Sequence, residues 1–172
     1  MKHYEVLEKL LREQFGDRQV VGIEIGTGGG AATMTILNTL PNCTLYTIDS
    51  YEHRDNEEFE ASHPQEVHNE NRKAAEKRLA SFGDRVKILA MRSKDAINLV
   101  PKEVDFVWVD GDHSEKGITT DLDLYYPLVK QGCFFGGHDF MQVHPLTEII
   151  QERFKDKVIN TSGDFTFWVF KC

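Results

Sequence analysis

A mostly parallel α/β sheet closed by an antiparallel hairpin is the fold this 172-residue chain predicts, and three observations carry the prediction. Short apolar runs alternate with amphipathic helical stretches, the pattern of successive βα units. The first such run, Val20-Val21-Gly22-Ile23-Glu24-Ile25, breaks into Gly26-Thr27-Gly28-Gly29-Gly30 and then Ala31-Ala32, the strand–glycine–helix turn at which open sheets bind nucleotide-like ligands. Near the C-terminus, residues 157–160 and 165–170 flank Thr161-Ser162-Gly163-Asp164, a connection short enough to require antiparallel strands.

Taken in order, residues 3–15 place Val6, Leu7, Leu10, Leu11 and Phe15 at helical spacing, so an amphipathic helix packs on the sheet and ends at Gly16-Asp17. The first strand covers 19–25, and a helix starts at Gly30. Pro41-Asn42 turns the chain into a second strand, 43–48, which ends in Asp49. Residues 51–64 are polar and aperiodic, which reads as a surface loop near the carboxyl ends of the strands, where substrate-gripping segments sit. His53, His63 and His68 match no metal-ligand spacing and read as solvated. A helix follows over 65–82, stopped by Gly83-Asp84.

The third strand is 86–90, and Ser93-Lys94-Asp95-Ala96 opens a helix running to Val100. Ser93 and Asp95 suit capping, and their place past a strand end suits contact with an adenine ring equally well. Residues 104–109 form a doubly buried strand that leads into Asp110-Gly111-Asp112-His113, and Ser114 caps the next helix. Gly132 leads into the fifth strand, 133–137, which ends in His138-Asp139. Pro145 suits the start of a last helix that reaches about residue 154.

The glycine turn followed by a strand-end Asp49 indicates a nucleoside ligand, since a carboxylate there accepts hydrogen bonds from ribose hydroxyls. Gly26-x-Gly28-x-x-Ala31 also satisfies the dinucleotide fingerprint, so an NAD-type oxidoreductase is a rival. Glu24 tilts the choice. A buried charge beside the loop would repel a pyrophosphate and welcome a sulfonium or ammonium group, which favours S-adenosylmethionine. The alternative for Glu24 is a carboxylate tied to the backbone amides of the following helix.

Composition narrows the partners. Twenty Lys and Arg against 28 Asp and Glu give a formal charge of −8 without a basic run, which disfavours nucleic acid and anionic lipid and favours a small-molecule substrate. One domain over residues 1–172 is expected at this length. No run is apolar enough to span a bilayer or serve as a signal peptide, so a cytoplasmic location is expected. Cys43, Cys133 and Cys172 lack CxxC spacing and read as reduced thiols. The free edge of the terminal hairpin is a candidate homodimer surface.

On Glu24-Ile25-Gly26-Thr27-Gly28-Gly29-Gly30, Asp49, Ser93-Lys94-Asp95, Asp110-Gly111-Asp112-His113 and Gly136-Gly137-His138-Asp139, the chain resembles the class I S-adenosylmethionine-dependent methyltransferases over nearly its whole length. The last two segments are similar to those of the small bacterial cephalosporin hydroxylase-like and sugar O-methyltransferases. The resemblance implies a Rossmann-like three-layer α/β/α sandwich with a seven-stranded sheet in the order 3-2-1-4-5-7-6 and an antiparallel last strand. It assigns Glu24, Gly26, Thr27, Gly28 and Gly30 to the methionine portion of the cofactor, Asp49 to the ribose, and Ser93 and Asp95 to the adenine. It also implies a divalent metal, Mg²⁺ or Mn²⁺, at Asp110, His138 and Asp139. His138 departs from the acidic or amide pattern of that pair, since imidazole is a poorer ligand than oxygen for Mg²⁺ and a better one for Mn²⁺, Fe²⁺ or Zn²⁺.

Chemically, a neutral hydroxyl must lose its proton to attack a methyl group. His113 is the expected general base because imidazole titrates near neutrality, with Asp112 to orient or replace it and Asp110 beside the cofactor and metal. A non-catalytic accessory protein that keeps only the nucleoside pocket is the second rival.

Overall fold

The computed structural model describes residues 4–54 and 63–172. A seven-stranded sheet has the order β3-β2-β1-β4-β5-β7-β6, built from β1 (Val20–Ile25), β2 (Cys43–Asp49), β3 (Val86–Ala90), β4 (Val104–Val109), β5 (Val129–Gly137), β6 (Asn160–Thr161) and β7 (Phe167–Phe170). Strands β3 to β5 of that row pair in parallel, and β7 runs antiparallel to both β5 and β6. This is the order that the resemblance implies. The helices are α1 (Glu5–Phe15), α2 (Ala31–Thr39), α3 (Gln65–Leu79), α4 (Ser93–Ala96), α5 (Glu115–Tyr125) and α6 (His144–Arg153).

The right-handed crossover rule explains the layering. The connections through α2 and α3 step from β1 outward to β3, while the one through α5 steps the other way from β4 to β5, so the two sets of helices cover opposite faces. Contacts agree, since α1 and α3 pack on α2, and α4 and α6 pack on α5. The switch in direction falls between β1 and β4, and there the crevice at the carboxyl ends opens.

Phe15 anchors α1 to the sheet. Its ring lies 5.7 Å from Phe106 and 5.8 Å from Phe134, and those two rings stack at 5.7 Å, geometry that favours aromatic pairs beyond simple burial.

Four elements differ in extent from the sequence reading. The third helix stops at Leu79 and passes into a 3₁₀ turn, Ala80–Arg85, that bends at Gly83. The fourth is a single turn ending at Ala96. The fifth strand starts at Val129 and continues through exposed Gln131 and Gly132, with a register shift opposite Val104 and Phe106. Glycine therefore marks an irregularity inside the strand here, not its start. The hairpin is shorter than expected because Phe165, at φ 65°, leaves the extended conformation before β7 begins.

A buried polar network joins β1, β2 and α2. Glu24 is fully buried, and its Oε2 accepts from the hydroxyls of Thr33 and Thr47, each at 2.5 Å. Thr47 in turn meets Thr27 at 2.6 Å. Burial pushes the Glu24 carboxyl up to about 8, against the two threonine hydrogen bonds that lower it. At neutral pH the group is accordingly protonated, and the stability carried by that proton is lost as pH rises from about 4.5 through about 8. Glu24→Gln mimics the protonated acid and should flatten this loss when melting is followed from about pH 5 to about pH 9; identical slopes in both proteins would show the carboxyl ionised in place.

Candidate functional site

The crevice between the ends of β1 and β4 widens into a cleft of about 640 Å³. Its floor is the glycine loop. Gly26 has φ 98°, and a β-carbon there would stand 2.0 Å from the carbonyl oxygen of Asp110, so only glycine lets the two strand ends meet. Gly30, at φ 79°, caps α2 on its way into the helix and packs against α3, where a β-carbon would lie 3.3 Å from the Ala75 backbone.

Asp49 closes the loop from β2. Its Oδ2 accepts from the Gly28 amide at 2.8 Å and its Oδ1 from the Tyr51 amide at 2.9 Å. Tyr51 donates its hydroxyl to the Gly28 carbonyl at 3.2 Å. Two hydrogen bonds from backbone amides fix the carboxylate's orientation and leave lone pairs for a ligand, since a carboxylate accepts at about four positions.

Of the residues singled out for the cofactor, Gly26, Thr27, Gly28, Asp49, Ser93 and Asp110 line the cleft. Glu24 does not: it lies sealed beneath the loop, held by Thr33 and Thr47. The sequence argument that its charge faces the ligand is corrected here, because burial leaves it a neutral acid at pH 7. Gly30 shapes the loop from behind. Asp95 is exposed on α4 and outside the lining. Ser93 and Asp95 are two residues apart on one helical turn and so project to different sides.

The acid and histidine residues gather as one group, with one exchange of partners. Ligand atoms of Asp110, His113 and Asp139 lie within 4.8 Å of one another, so His113 stands where the sequence reading put His138. Asp139, just past β5, has φ 61°. His113 Nε2 lies 3.1 Å from Asp139 Oδ2, and His138 Nδ1 lies 2.9 Å from Asp139 Oδ1. The imidazoles of His113 and then His138 beside it hold the Asp139 carboxyl well below the usual carboxylate range. For His138, burial would lower the pKa, but the Asp139 hydrogen bond and the charges of Asp110 and Asp139 outweigh it and leave the imidazole raised. His138 itself is buried towards a small cavity behind α5, next to Phe135, Leu146 and Ile150.

Asp112 lines the cleft beside His113. Its Oδ1 accepts from the Ser114 amide at 3.0 Å and its Oδ2 from Arg54 at 3.1 Å. It is therefore held by the helix start and by the 51–54 segment at once. Ser114 caps α5 as its sequence predicts, accepting from the Gly117 amide at 3.1 Å.

Sequence reasoning did not single out Tyr4, Tyr51, Arg54 or Asp121, all of which line the cleft. Tyr51 was legible as a neighbour of Asp49. Asp121 was legible only as a polar residue on the apolar face of an amphipathic helix, one turn after Gly117.

A family model described as a methyltransferase domain matches residues 23–140. No curated protein matches the chain. Among solved structures, the chain is similar to a Staphylococcus aureus protein assigned as a caffeoyl-CoA O-methyltransferase, at 16% identity and TM-score 0.71 over 98% of this chain and 82% of that one. It is similar to the O-methyltransferase TomG of Streptomyces achromogenes in complex with SAM, at 18% identity and TM-score 0.63 over 97% and 78% of the two chains. An rRNA methylase of Streptococcus thermophilus shares the fold at 10% identity and TM-score 0.67 over 98% and 95%. The matched span holds the glycine loop, Asp49, Ser93 and the Asp110, His113 and Asp139 group, and the chain belongs to the methyltransferase domain family.

Proposed function

We propose that this protein, as one methyltransferase domain acting in the cytoplasm, moves the methyl group of S-adenosylmethionine to a hydroxyl of a small molecule. One observation carries the reading: the glycine loop and Asp49 open on the same cleft as Asp110 and His113, which close on Asp139. A nucleoside site and a proton-handling site thus adjoin.

In this reading the backbone of the glycine loop lets the cofactor approach, and Asp49 takes the ribose hydroxyls. Asp49, whose side chain accepts from Gly28, and Asp110, whose carbonyl abuts Gly26, flank the loop, so this side of the cleft suits a sulfonium and disfavours a pyrophosphate. Glu24 acts from below, setting the loop through Thr33 and Thr47. The acceptor hydroxyl gives its proton to His113, which Asp139 orients from 3.1 Å while His138 steadies Asp139 from the other side. Oxygen bonds to the methyl carbon as the carbon–sulfur bond breaks, the electron pair stays on sulfur, and a neutral thioether leaves. Positioning of oxygen, carbon and sulfur in line supplies the rest.

A second reading has an observation of its own in the convergence of Asp110, His113 and Asp139. Two carboxylates and an imidazole fit a divalent ion, with Mn²⁺ suited better than Mg²⁺ by the nitrogen donor. Such an ion, when bound, orients a hydroxyl and eases its loss of a proton. His113 would then be a ligand, and Asp112 would be left beside the acceptor. An RNA acceptor is disfavoured by the −8 charge.

Calorimetric titration should give binding of S-adenosylmethionine and none of NAD; the reverse result would overturn the cofactor. With an accepted hydroxyl substrate, His113→Ala and Asp139→Ala should each cut turnover by roughly 10²–10⁴-fold while cofactor binding persists. Turnover untouched by both changes would dismiss this group from the chemistry. EDTA separates the two readings: full loss restored by Mn²⁺ supports the metal, and an unchanged rate supports the His113–Asp139 pair acting alone.

A further inference from the structure

Both oxygens of Asp112 are engaged. Oδ1 accepts from the Ser114 amide at 3.0 Å, and Oδ2 meets the Arg54 guanidinium at 3.1 Å. The Arg54 and Asp112 side chains are 19% and 20% exposed, and both residues line the cleft. Arg54 belongs to the segment after β2 and Asp112 to the loop after β4. Strand β1 lies between those two in the sheet, so the banks stand two strand spacings apart, roughly 10 Å. Between them, at the carboxyl end of β1, is the glycine loop. The ion pair therefore bridges the crevice on which that loop opens.

The Arg54 bank is pinned from three sides. Gln65, the first residue of α3, donates to the Tyr51 carbonyl at 2.8 Å and accepts from the His53 amide at 2.9 Å. Glu52 pairs with Arg92, beyond β3, at 3.3 Å. Tyr51 is buried, and its hydroxyl reaches the Gly28 carbonyl. With this backbone held, the part of the bridge freest to move is the long Arg54 side chain. As a support for the fold, an ion pair at a cleft mouth contributes little. Its effect is on traffic. In the reading above, a nucleoside seated with its ribose on Asp49 and its sulfonium towards Gly26 and Asp110 lies under the line from Arg54 to Asp112, and it leaves only when that pair parts.

We propose that Arg54 and Asp112 are a latch over the cofactor: the pair parts to admit S-adenosylmethionine, closes above it, and sets how fast the demethylated thioether nucleoside leaves. This rests on the nucleoside reading of the cleft. Lid opening and product release limit turnover in many enzymes, so the latch governs rate while the transfer chemistry stays with His113 and Asp139. Asp112 thereby takes a retaining task in place of orienting or replacing His113.

The test follows release of S-adenosylhomocysteine from the full chain by surface plasmon resonance. Arg54→Gln should release it roughly 3–10-fold faster than the wild type, the factor that a partly buried ion pair supports, and Asp112→Asn should match it. Joining the two changes should add nothing beyond either one, because both remove the same contact. Arg54→Lys keeps the charge without the planar fork and should fall between. Raising salt from about 0.05 M to about 0.5 M should quicken release from the wild type and leave Arg54→Gln nearly unmoved. Far-UV circular dichroism and melting check that each variant is folded; should Asp112→Asn loosen the start of α5, the two Arg54 variants and the salt series decide alone. Release from Arg54→Gln as slow as from the wild type, or single effects that multiply in the double variant, overturn the latch alone. A wild type that binds no S-adenosylhomocysteine overturns the nucleoside reading and the latch with it.

Discussion

The site exists because β1 and β4 meet at their carboxyl ends with no side chain between them. At Gly26 the backbone takes a left-handed turn and runs against the Asp110 carbonyl, where even a methyl group would collide. That contact puts the loop after β1 and the loop after β4 on one crevice, at the point where the sheet's connections change direction. The parallel ladder, the two helix layers and the glycine turn all serve to hold these two strand ends in register.

Charge in the site is arranged in two tiers. Below the loop, Glu24 is neutralised by burial and spent on threonine hydroxyls, so it holds β1, β2 and α2 together without projecting a field. Above it, Asp139 keeps its charge because imidazoles approach it from both sides. Carboxylates with opposite fates thus lie in one small region, and environment alone separates them. The protonated one builds the floor; the ionised one orients a histidine.

Backbone strain concentrates beside the reacting groups. Asp139, Met141 and Phe165 are non-glycine residues in the left-handed region, with φ of 61°, 66° and 65°, and the Phe140 amide ties the two loops together through the Phe165 carbonyl at 2.9 Å. Each such residue costs on the order of 1–3 kcal/mol, which a fold tolerates where side chains must be aimed. Here the aim is that of Asp139 towards His113. Tyr51, the remaining non-glycine residue of this kind among those described, stands at the other wall against Asp49 and Gly28.

By itself the sequence determined the strands, the helix faces, the glycine turn and the closing hairpin, because these follow from periodicity and from turn residues within a few positions of one another. Motif likeness supplied the strand order. What only the tertiary structure decided was the partner of each polar group. Thr33 and Thr47 lie nine and 23 residues from Glu24, and their hydroxyls turn a supposed ligand charge into a buried acid. His113 joins Asp110 and Asp139 in place of His138, whose ring contacts Asp139 and borders the small cavity behind α5, and Asp121 meets Ser93 only when α4 and α5 pack. Local pattern records which face a residue takes; the protonation and aim of a buried side chain depend on atoms that folding brings from elsewhere in the chain.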